Sequence, residues 1–586
     1  MSNDVKTPDG GPAPAPPPRS GRRKLWMAAG IAGLTGVVGL AALGGLAARN
    51  DKSGGPDRLT DAQSSTPKQN VSDAGKADAG GEESGKGEDD WAGGDWSGQD
   101  DRGGQGKDRK HDERGKEVPC NTDKLIQAIV FANDNHGATL ELARNCTYNL
   151  TRTDEYGNGL PVITEDVTLK GDNTKIVRDA TAEHFRILNV GPGGHLTLKG
   201  LTIKGGQTTR ARAMVDPATV WSRYSTSVEA TAAAKAGTLA DVEAEAVKAR
   251  AAKAAASAAK PATEAAKPAA KPATGAAKPA ATAQSAAAPG AGTLVERPEF
   301  NDGAGILVQP GGAADIEKSE ILQNQSGGNG GGLANFGHTR ISKSTVAENT
   351  AFFFGGGLFN AGVLQVDEST VRNNEAGIGG GGVANGAPGI LSDDVDGGSV
   401  WLYKTEVTGN KTIGFGGGIL DVEGDTKLEY AKVTDNIAVL AGGGIATADS
   451  QLTLKHTTVA KNSTVGVGGG LAIAFDSVAT IEDSSVKDNV AGFFGAGLFV
   501  EDSTVTLRRS EVVGNRAVGP ISFGGGIFTI FGARVTLTET KVAGNIATFP
   551  PGGIFNSPSS DVELDNKSAV TGNRPTNCVN VPGCFA

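Results

Sequence analysis

One short sequence pattern recurs ten times in residues 303–573 and dominates the chain. Each copy opens on a glycine cluster followed by an aliphatic residue, and it closes about twenty residues later on S/T-x-φ-x-x-N, where φ is aliphatic. A regular period in the twenties indicates a solenoid in which each copy forms one coil. The closing asparagines are Asn324, Asn349, Asn374, Asn410, Asn436, Asn462, Asn489, Asn515, Asn545 and Asn573.

The copies predict β-strands and not helices. Each contains three short runs rich in Val and Ile, bounded by Gly, Asn or Asp, and no ten-residue stretch has helical periodicity. Three strands in a coil of about 26 residues are what a right-handed parallel β-helix requires. We therefore predict an all-β, right-handed parallel β-helix of about 13 coils with a short N-terminal helix as cap.

Two features of each copy have a structural role. Two aliphatic positions contain no polar residue in any copy, so both are expected to face the core. The asparagines are expected to form a ladder in which each amide bonds its equivalent one coil away, with the asparagine itself in the left-handed conformation. The glycines supply the other corner, where the backbone excludes a Cβ.

The repeat resembles those of a known class of proteins. Residues 344–349, with the sequence STVAEN, lead into GGGL at 355–358. This pattern is similar to the repeats of the chlamydial polymorphic membrane proteins and of related right-handed β-helix proteins of the pectate-lyase-like superfamily. The resemblance implies the fold over residues 303–573 but no single function, because that superfamily contains lyases, hydrolases, adhesins and scaffolds. Those membrane proteins end in an outer-membrane barrel, whereas this chain ends soon after its last coil, so autotransport is not expected.

The N-terminal region predicts export. Residues 1–24 form a Pro-rich tail with a basic end, and residues 25–48 carry no charge. Such a length can cross a hydrocarbon core as a transmembrane anchor with the repeats outside the cell. The alternative is a cleaved, twin-arginine-like signal peptide that includes Arg22 and Arg23, which would yield a secreted protein.

The remaining segments divide by composition. Residues 49–118 are Gly-rich and of mixed charge, and we expect a disordered linker. Residues 119–206 begin with a short amphipathic helix behind Asn121 or Thr122 and form the N-terminal cap and the first coils. They resemble the cap of secreted bacterial β-helix proteins. Residues 207–302 are an Ala/Lys/Pro-rich insertion, and residues 303–586 are the repeat region with a C-terminal cap.

Four cysteines lie in two pairs, one pair before the repeats and one pair after them. In an exported protein they are expected to form the disulfides Cys120–Cys146 and Cys578–Cys584, although four cysteines allow three connectivities.

The predicted strand faces carry no cluster of charged residues of the kind that an active site requires. The position after the first core column carries no charge in ten coils, and paired carboxylates of the glycosidase type are not apparent. Aromatic residues are more prominent. Phe359, Phe499, Phe528 and Phe555 predict one apolar side, which is either covered by corner loops or exposed as a binding surface.

A single loop offers a candidate metal site. Asp393, Asp394 and Asp396 precede Gly397 in the insertion that lengthens the fourth repeat. Three carboxylates can bind calcium, although such a loop is more often a solvated turn. No other cofactor is expected.

These observations favour a non-enzymatic, surface-displayed protein that acts in adhesion or cell-envelope interaction. Its partners are expected to be the membrane through residues 25–48 and a cell-wall, glycan or protein ligand. Nucleic acid is not expected, given a net charge of −10. The alternative is a polysaccharide lyase or glycoside hydrolase whose site lies in the early coils or in loops.

Overall fold

The computed structural model describes residues 115–208, 301–387 and 395–585. This part of the chain is an all-β parallel solenoid of about 14 turns. The predicted anchor at 25–48 and nearly all of the linker and the insertion lie outside the described residues. Within the described ranges, no helix is long and apolar enough to cross a membrane.

One helix and three parallel sheets make up the described ranges, and the helix spans Thr122–Asp134. Sheet 1 contains the strands that follow the glycine clusters. Its strands are Leu188–Val190, Ile306–Val308, Leu333–Asn335, Leu358–Asn360, Val383–Asn385, Ile419–Val422, Ile445–Ala448, Leu471–Ala474, Leu498–Glu501, Ile527–Ile530, Ile554–Asn556 and Cys578–Val579.

Sheet 2 receives two strands from each regular coil, a longer one and a three-residue one. Its strands are Lys116–Val118, Ala138–Leu142, Thr147–Leu150, Asp166–Arg178, His195–Lys204, Ala313–Glu317, Glu320–Leu322, His338–Ser342, Thr345–Ala347, Val363–Asp367, Thr370–Arg372, Ser399–Tyr403, Glu406–Thr408, Asp425–Glu429, Lys432–Thr434, Gln451–Lys455, Thr458–Ala460, Val478–Glu482, Ser485–Lys487, Thr504–Arg508, Glu511–Val513, Arg534–Thr538, Lys541–Ala543, Asp561–Leu564 and Ala569–Thr571.

Sheet 3 consists of two-residue strands that follow the closing asparagines. They are Gln325–Ser326, Thr350–Ala351, Glu375–Ala376, Lys411–Thr412, Ile437–Ala438, Ser463–Thr464, Val490–Ala491, Arg516–Ala517 and Ile546–Ala547. Each coil therefore passes through sheet 1, twice through sheet 2 and once through sheet 3. Equivalent residues of successive coils pair in register, as Val459 pairs with Val433 and Val486. The handedness of the coil stays a prediction.

The core fills the inside of the coils. The two aliphatic positions of the repeats, represented by Leu358 and Val371, are buried in one continuous cluster, and Val570 of the last repeat packs half-buried against it. Alternation along each strand places these side chains inward, because successive residues of a strand point to opposite faces. The aliphatic pattern therefore correctly predicted which residues form the main core.

The ten closing asparagines form a hydrogen-bonded column between sheets 2 and 3. From each of the first nine, Nδ2 donates to Oδ1 of the asparagine in the next coil at 2.9–3.0 Å. The backbone N–H of the same residue donates to that oxygen as well, as from Asn462 to Asn489. The column ends on the side chain of Asn577, which accepts from Asn573.

The left-handed conformation lies one residue earlier than predicted. None of the ten asparagines has a positive φ, whereas the residue before each of them does, as in Glu348, Asp435 and Lys461. The asparagine side chain is needed inside, where it bonds its neighbours, so the chain turns at the preceding exposed residue. Glycine occupies that preceding position in several coils, as Gly409 does.

The glycine clusters and the asparagine ladder depend on each other. The first glycine of a cluster has a positive φ, as at Gly442. The third glycine packs on the ladder, since a Cβ at Gly444 would lie 2.9 Å from Nδ2 of Asn462 and 2.7 Å from the carbonyl oxygen of Gly470. A side chain at this position would displace the ladder, which explains why both features recur together.

The N-terminal end of the solenoid is covered by the predicted helix. The side chain of Asn121 caps this helix by accepting from the backbone N–H of Lys124 at 3.1 Å. The strand Lys116–Val118 pairs with Ala138–Leu142, so the folded part begins inside the segment that was assigned to the linker. Disulfides join Cys120 to Cys146 near this end and Cys578 to Cys584 at the other end.

The insertion leaves and re-enters the solenoid at one corner. Gln207 pairs with Gln325 beside sheet 3, and the hydroxyl of Thr208 donates to the carbonyl oxygen of Asn301. Residues 207, 208, 301 and 302 thus belong to the coil, and the interruption of the repeat lies between 208 and 301.

Candidate functional site

The four phenylalanines predicted as a binding surface do not form an exposed face. Phe359 and Phe528 are completely buried, Phe499 is 5% exposed and Phe555 is half-buried. Their rings pack along the solenoid, with Phe499 and Phe528 stacked at 5.7 Å and Phe528 and Phe555 at 4.8 Å between centroids. This placement corrects the expectation of exposed aromatic anchors.

The covering residues come from the turns before the glycine clusters. Side chains such as Phe354, Phe415 and Phe494 fold back over the outer face of sheet 1 and form a second apolar cluster with it. The ring of Phe494, for example, stacks on Phe528 with 4.7 Å between centroids. Sheet 1 is consequently buried on both faces, and its phenylalanines contribute to stability.

The candidate calcium loop is described only in part. Asp393 and Asp394 lie outside the described residues, and Asp396 is exposed. Among the residues that the structure describes, no group of three or more His, Cys, Asp or Glu side chains is arranged to hold a metal ion. Calcium binding by this loop stays a prediction.

A different surface combines exposed aromatic and polar side chains. It lies on the outside of sheet 2, at the corner where the longer strand of each coil passes into the three-residue strand. The corner residue has a positive φ in each coil, and its side chain is exposed or half-buried in the six coils considered next. In six successive coils these residues are Lys404, Tyr430, His456, Asp483, Arg509 and Glu539.

Aromatic rings follow one another at the N-terminal half of this row. Tyr430, which is 53% exposed, stacks on His456 with 4.7 Å between ring centroids and 14° between planes. Tyr403 meets Tyr430 edge-on at 5.9 Å, and Trp401 lies 6.0 Å from Tyr403. Lys404 and Lys427 place their ammonium groups over the rings of Tyr403 and Trp401.

The row continues into a polar groove of about 610 Å³. Hydroxyl groups and charged side chains of four coils line it, and His456 links it to the aromatic rings. The lining residues are His456, Thr457, Thr458, Asp483, Ser484, Ser485, Arg509, Ser510, Glu511, Glu539 and Lys541. We call the rings of Trp401, Tyr403, Tyr430 and His456 together with this lining the sheet-2 groove.

Ion pairs fix the charged groups of the groove. Arg509 contacts Asp483 through Nε at 2.8 Å and Nη2 at 3.0 Å, and it also binds Glu482. The hydrogen bonds from Arg509 lower the pKa of Asp483, and the same contacts raise the pKa of Arg509. Both groups therefore stay charged near neutral pH, and Asp483 has no proton to donate there.

A second polar cluster lies on sheet 2 in the early coils. Nε2 of His195 is 2.9 Å from Oδ2 of Asp315, and Nδ1 of the same ring is 3.7 Å from Oδ1 of Asp166. All three side chains are partly exposed. A histidine between two carboxylates is a group that can accept and return protons.

A buried carboxyl group interrupts an inner polar column of sheet 1. Asn335, Asn360 and Asn385 donate in turn from Nδ2 to the next side chain, and the last of them donates to Oδ1 of Asp421 at 3.0 Å. Asp421 is fully buried, and among the described residues its Oδ2 has no hydrogen-bond partner. Burial raises the pKa of Asp421 to about 7.

The sequence signal for the sheet-2 groove was weak. The corner residues stand directly before the recurring Ser or Thr or, in one coil, before Ala431, and they differ from coil to coil. Repeat analysis finds positions that are alike, whereas a ligand surface on a solenoid is built from the positions that vary. Alignment of the copies and inspection of the most variable outward column would have found Tyr430 and His456.

Comparisons with known proteins leave the family open. No protein-family model matches the chain, and no curated protein matches it. A solved structure of the catalytic unit of the thermostable GH87 alpha-1,3-glucanase from Streptomyces thermodiastaticus strain HF3-3 is similar at 11% identity, over 80% of this chain and 70% of that one. Its TM-score of 0.33 is too low to support an argument about this chain.

Proposed function

We propose that this protein is a non-catalytic, surface-displayed solenoid that binds a glycan of the cell envelope through the sheet-2 groove. The observation that supports this most directly is the exposed ring of Tyr430, which stacks on His456 at the entrance to a hydroxyl-lined groove. Export and membrane attachment through residues 25–48 belong to the same proposal and rest on the sequence.

The groove has the two kinds of group that recognise sugars. The flat apolar faces of a sugar ring pack on an exposed aromatic ring, while its hydroxyls need nearby donors and acceptors. Tyr430 supplies the ring, and Thr458, Ser485 and Glu511 supply polar atoms in the coils beyond it. Stacking of coils aligns these groups along the solenoid axis, so a chain of sugars can contact several of them.

Charge supports binding over catalysis at this surface. A glycosidase needs a carboxylic acid that is protonated near neutral pH. Asp483 in the groove has a lowered pKa because Arg509 donates to it. The carboxyl with a pKa of about 7, that of Asp421, is fully buried and cannot reach a sugar. The resemblance to polymorphic membrane protein repeats agrees with an adhesive role.

Replacing Tyr430 with Ala is expected to weaken glycan binding about tenfold or more, because exposed aromatic anchors carry much of the binding free energy at such surfaces. Binding is measured with the purified full-length protein, by affinity electrophoresis in gels that contain soluble cell-wall polysaccharides and by pull-down with insoluble ones. The variant is expected to keep the unfolding midpoint of the wild type, since Tyr430 is exposed.

Tyr156→Ala is the matched control, because Tyr156 is 65% exposed and is not among the groove residues. The proposal fails if wild-type protein binds no polysaccharide of the panel. It also fails if the two tyrosine variants lose binding equally.

An enzymatic function remains the second candidate, and the cluster of Asp166, His195 and Asp315 is the observation in its favour. If these early coils catalyse polysaccharide cleavage, the wild type should release reducing ends or unsaturated sugars and His195→Ala should stop the release. Tyr430→Ala would then leave cleavage of small substrates unchanged. Product release by the wild type would overturn the non-catalytic proposal.

A further inference from the structure

Exposed apolar side chains follow one another along the outside of sheet 3. In six coils the inward residues of this sheet pair in register, from Ala376 to Ala517. The residues on either side of them therefore face outward. The following residues are Gly377, Ile413, Val439, Val465, Gly492 and Val518. Together with Ile437, which precedes Ala438, they define the sheet-3 strip.

The strip is unusually apolar for an outward face. Ile413, Ile437, Val465 and Val518 are 50%, 43%, 47% and 53% exposed. Ile413, Ile437 and Val465 lie in three successive coils about 4.8 Å apart, and Val518 lies two coils beyond Val465, with the half-buried Val490 and Gly492 in the coil between. An apolar surface of this kind marks an interaction site.

We propose that the sheet-3 strip is the interface of a homodimer in which a second copy of the chain lies antiparallel across it. The two-fold axis passes between the coil of Val439 and the coil of Val465. The order of side-chain sizes and the order of charges along the strip both support this arrangement.

The sizes of the side chains are self-complementary about this axis. Reading the strip forward gives Gly, Ile, Val, Val, Gly, Val, and an antiparallel copy presents the same order reversed. Ile413 then faces the partner's Gly492, Val518 faces the partner's Gly377, and Val439 faces the partner's Val465. Ile413 and Val518 therefore each face a glycine, which leaves space for their side chains, and Val439 and Val465 meet at the centre. A two-fold axis repeats every contact.

The charges beside the ladder asparagines follow the same rule. In the same six coils, one of the two residues that flank the asparagine is charged, and the sign alternates from coil to coil. All six are exposed, and within the described residues none of them forms an ion pair with its own chain. The six are Glu375, Lys411, Asp435, Lys461, Asp488 and Arg516.

An antiparallel copy pairs all of these charges with opposite ones. Asp435 faces the partner's Lys461, Lys411 faces the partner's Asp488, and Glu375 faces the partner's Arg516. A parallel copy in the same register would place like charges together, which is destabilising. The alternation therefore selects the antiparallel arrangement that the side-chain sizes also select.

The test reverses the central charges. Lys461→Glu faces the partner's Asp435 and is expected to weaken dimerisation at least about tenfold, because the repulsion occurs twice in the dimer. Asp435→Lys should act in the same way, and the double variant D435K/K461E should restore the wild-type dissociation constant. Folding is expected to be unchanged, since Glu348 and Lys461 already occupy this left-handed position in other coils.

The measurement is sedimentation velocity of the full-length protein over a range of concentrations. Lys343→Glu is the control, because it makes the same charge change at another exposed residue with a positive φ. A wild type that stays monomeric at every concentration overturns the proposal and leaves the strip to another occupant, such as the insertion at 209–300. A dimer that survives both single reversals is formed by another surface and overturns it too.

Crosslinking fixes the register independently. Chains carrying Glu375→Cys mixed with chains carrying Arg516→Cys should form an oxidised heterodimer, whereas either variant alone should crosslink much less, because its two copies lie about five coils apart in the dimer. Equal crosslinking of each variant with itself would contradict the two-fold axis. Neither experiment involves the sheet-2 groove, so loss of glycan binding and loss of dimerisation are separate results.

Discussion

Replacing Asn462 with Ala is expected to destabilise the solenoid by about 2–6 kcal/mol, because two buried donors lose their acceptor and each costs about 1–3 kcal/mol. Asn462 is fully buried in the middle of the ladder. Its Oδ1 accepts from the backbone N–H and from Nδ2 of Asn436 at 3.0 and 2.9 Å. Its Nδ2 donates to the carbonyl oxygen of Val433 and to Oδ1 of Asn489 at 2.8 and 3.0 Å.

Alanine can form none of these four hydrogen bonds. Gly444 packs closely on Nδ2 of Asn462, so this side chain also supports the backbone of the adjacent glycine cluster. Urea unfolding followed by far-ultraviolet circular dichroism measures the effect. Asn149→Ala is the control, because Asn149 is an exposed strand residue. Equal unfolding midpoints for Asn462→Ala and the wild type would show that the ladder contributes nothing to stability.

The repeat made the backbone of this fold predictable. The residue types found at one position in all ten copies indicate the environment of that position. The two aliphatic columns contain no polar residue in any copy, which predicts that they face the core. Stacking then places equivalent residues in register, as for Val433, Val459 and Val486. The asparagine column is predictable for the same reason. A polar residue that recurs beside the core needs a hydrogen-bond partner there, and the equivalent asparagine of the next coil provides one.

The same reasoning left two alternatives open where packing depends on loops. Phe359 and Phe528 occupy an outward column of sheet 1, and periodicity alone does not show whether loops cover that column. Phe354 and Phe494 come from turns whose path is not periodic, and they cover it. The left-handed position was placed one residue late because the sequence shows that a turn is near, but not which residue makes it.

The candidate functional surfaces were not predicted from the sequence, for a related reason. Tyr430 and His456 are adjacent in space although 26 residues separate them in sequence, and no other coil repeats the pair. The inner column that ends on Asp421 was visible as Asn335, Asn360, Asn385 and Asp421. That its single carboxylate is buried is not evident from the sequence.

The buried carboxylate of Asp421 destabilises the folded protein at alkaline pH. Replacing Asp421 with Asn is expected to stabilise the protein by about 4 kcal/mol at pH 8, since a pKa difference of about 3 units corresponds to about 1.4 kcal/mol for each unit. The folded protein holds the pKa of Asp421 at about 7, against an ordinary value of 3.8, because burial penalises its charged form. At pH 8 the wild type therefore keeps an ionised carboxylate inside sheet 1.

The amide also suits the site better than the carboxylate. Its oxygen can accept from Nδ2 of Asn385, as Oδ1 of Asp421 does now at 3.0 Å. Its amide nitrogen supplies a donor that the carboxylate lacks. Thr447 pairs in register with Asp421 in the next coil, and among the described residues its buried Oγ1 has no hydrogen-bond partner. The substitution extends the asparagine column by one coil.

The pH dependence distinguishes this effect from a general gain of stability. A carboxyl group whose pKa is raised by folding stabilises the folded state fully below its unfolded pKa, near 4, and this contribution is lost as the pH rises through the folded pKa, near 7. The difference between Asp421→Asn and the wild type should therefore be small at pH 4, grow between pH 4 and 7, and stay constant above that range. Asp561→Asn, at an exposed strand end, is the control. Urea midpoints across this pH range test the prediction, and a difference between the two proteins that does not change with pH would show that Asp421 is already ionised and accommodated in the folded protein.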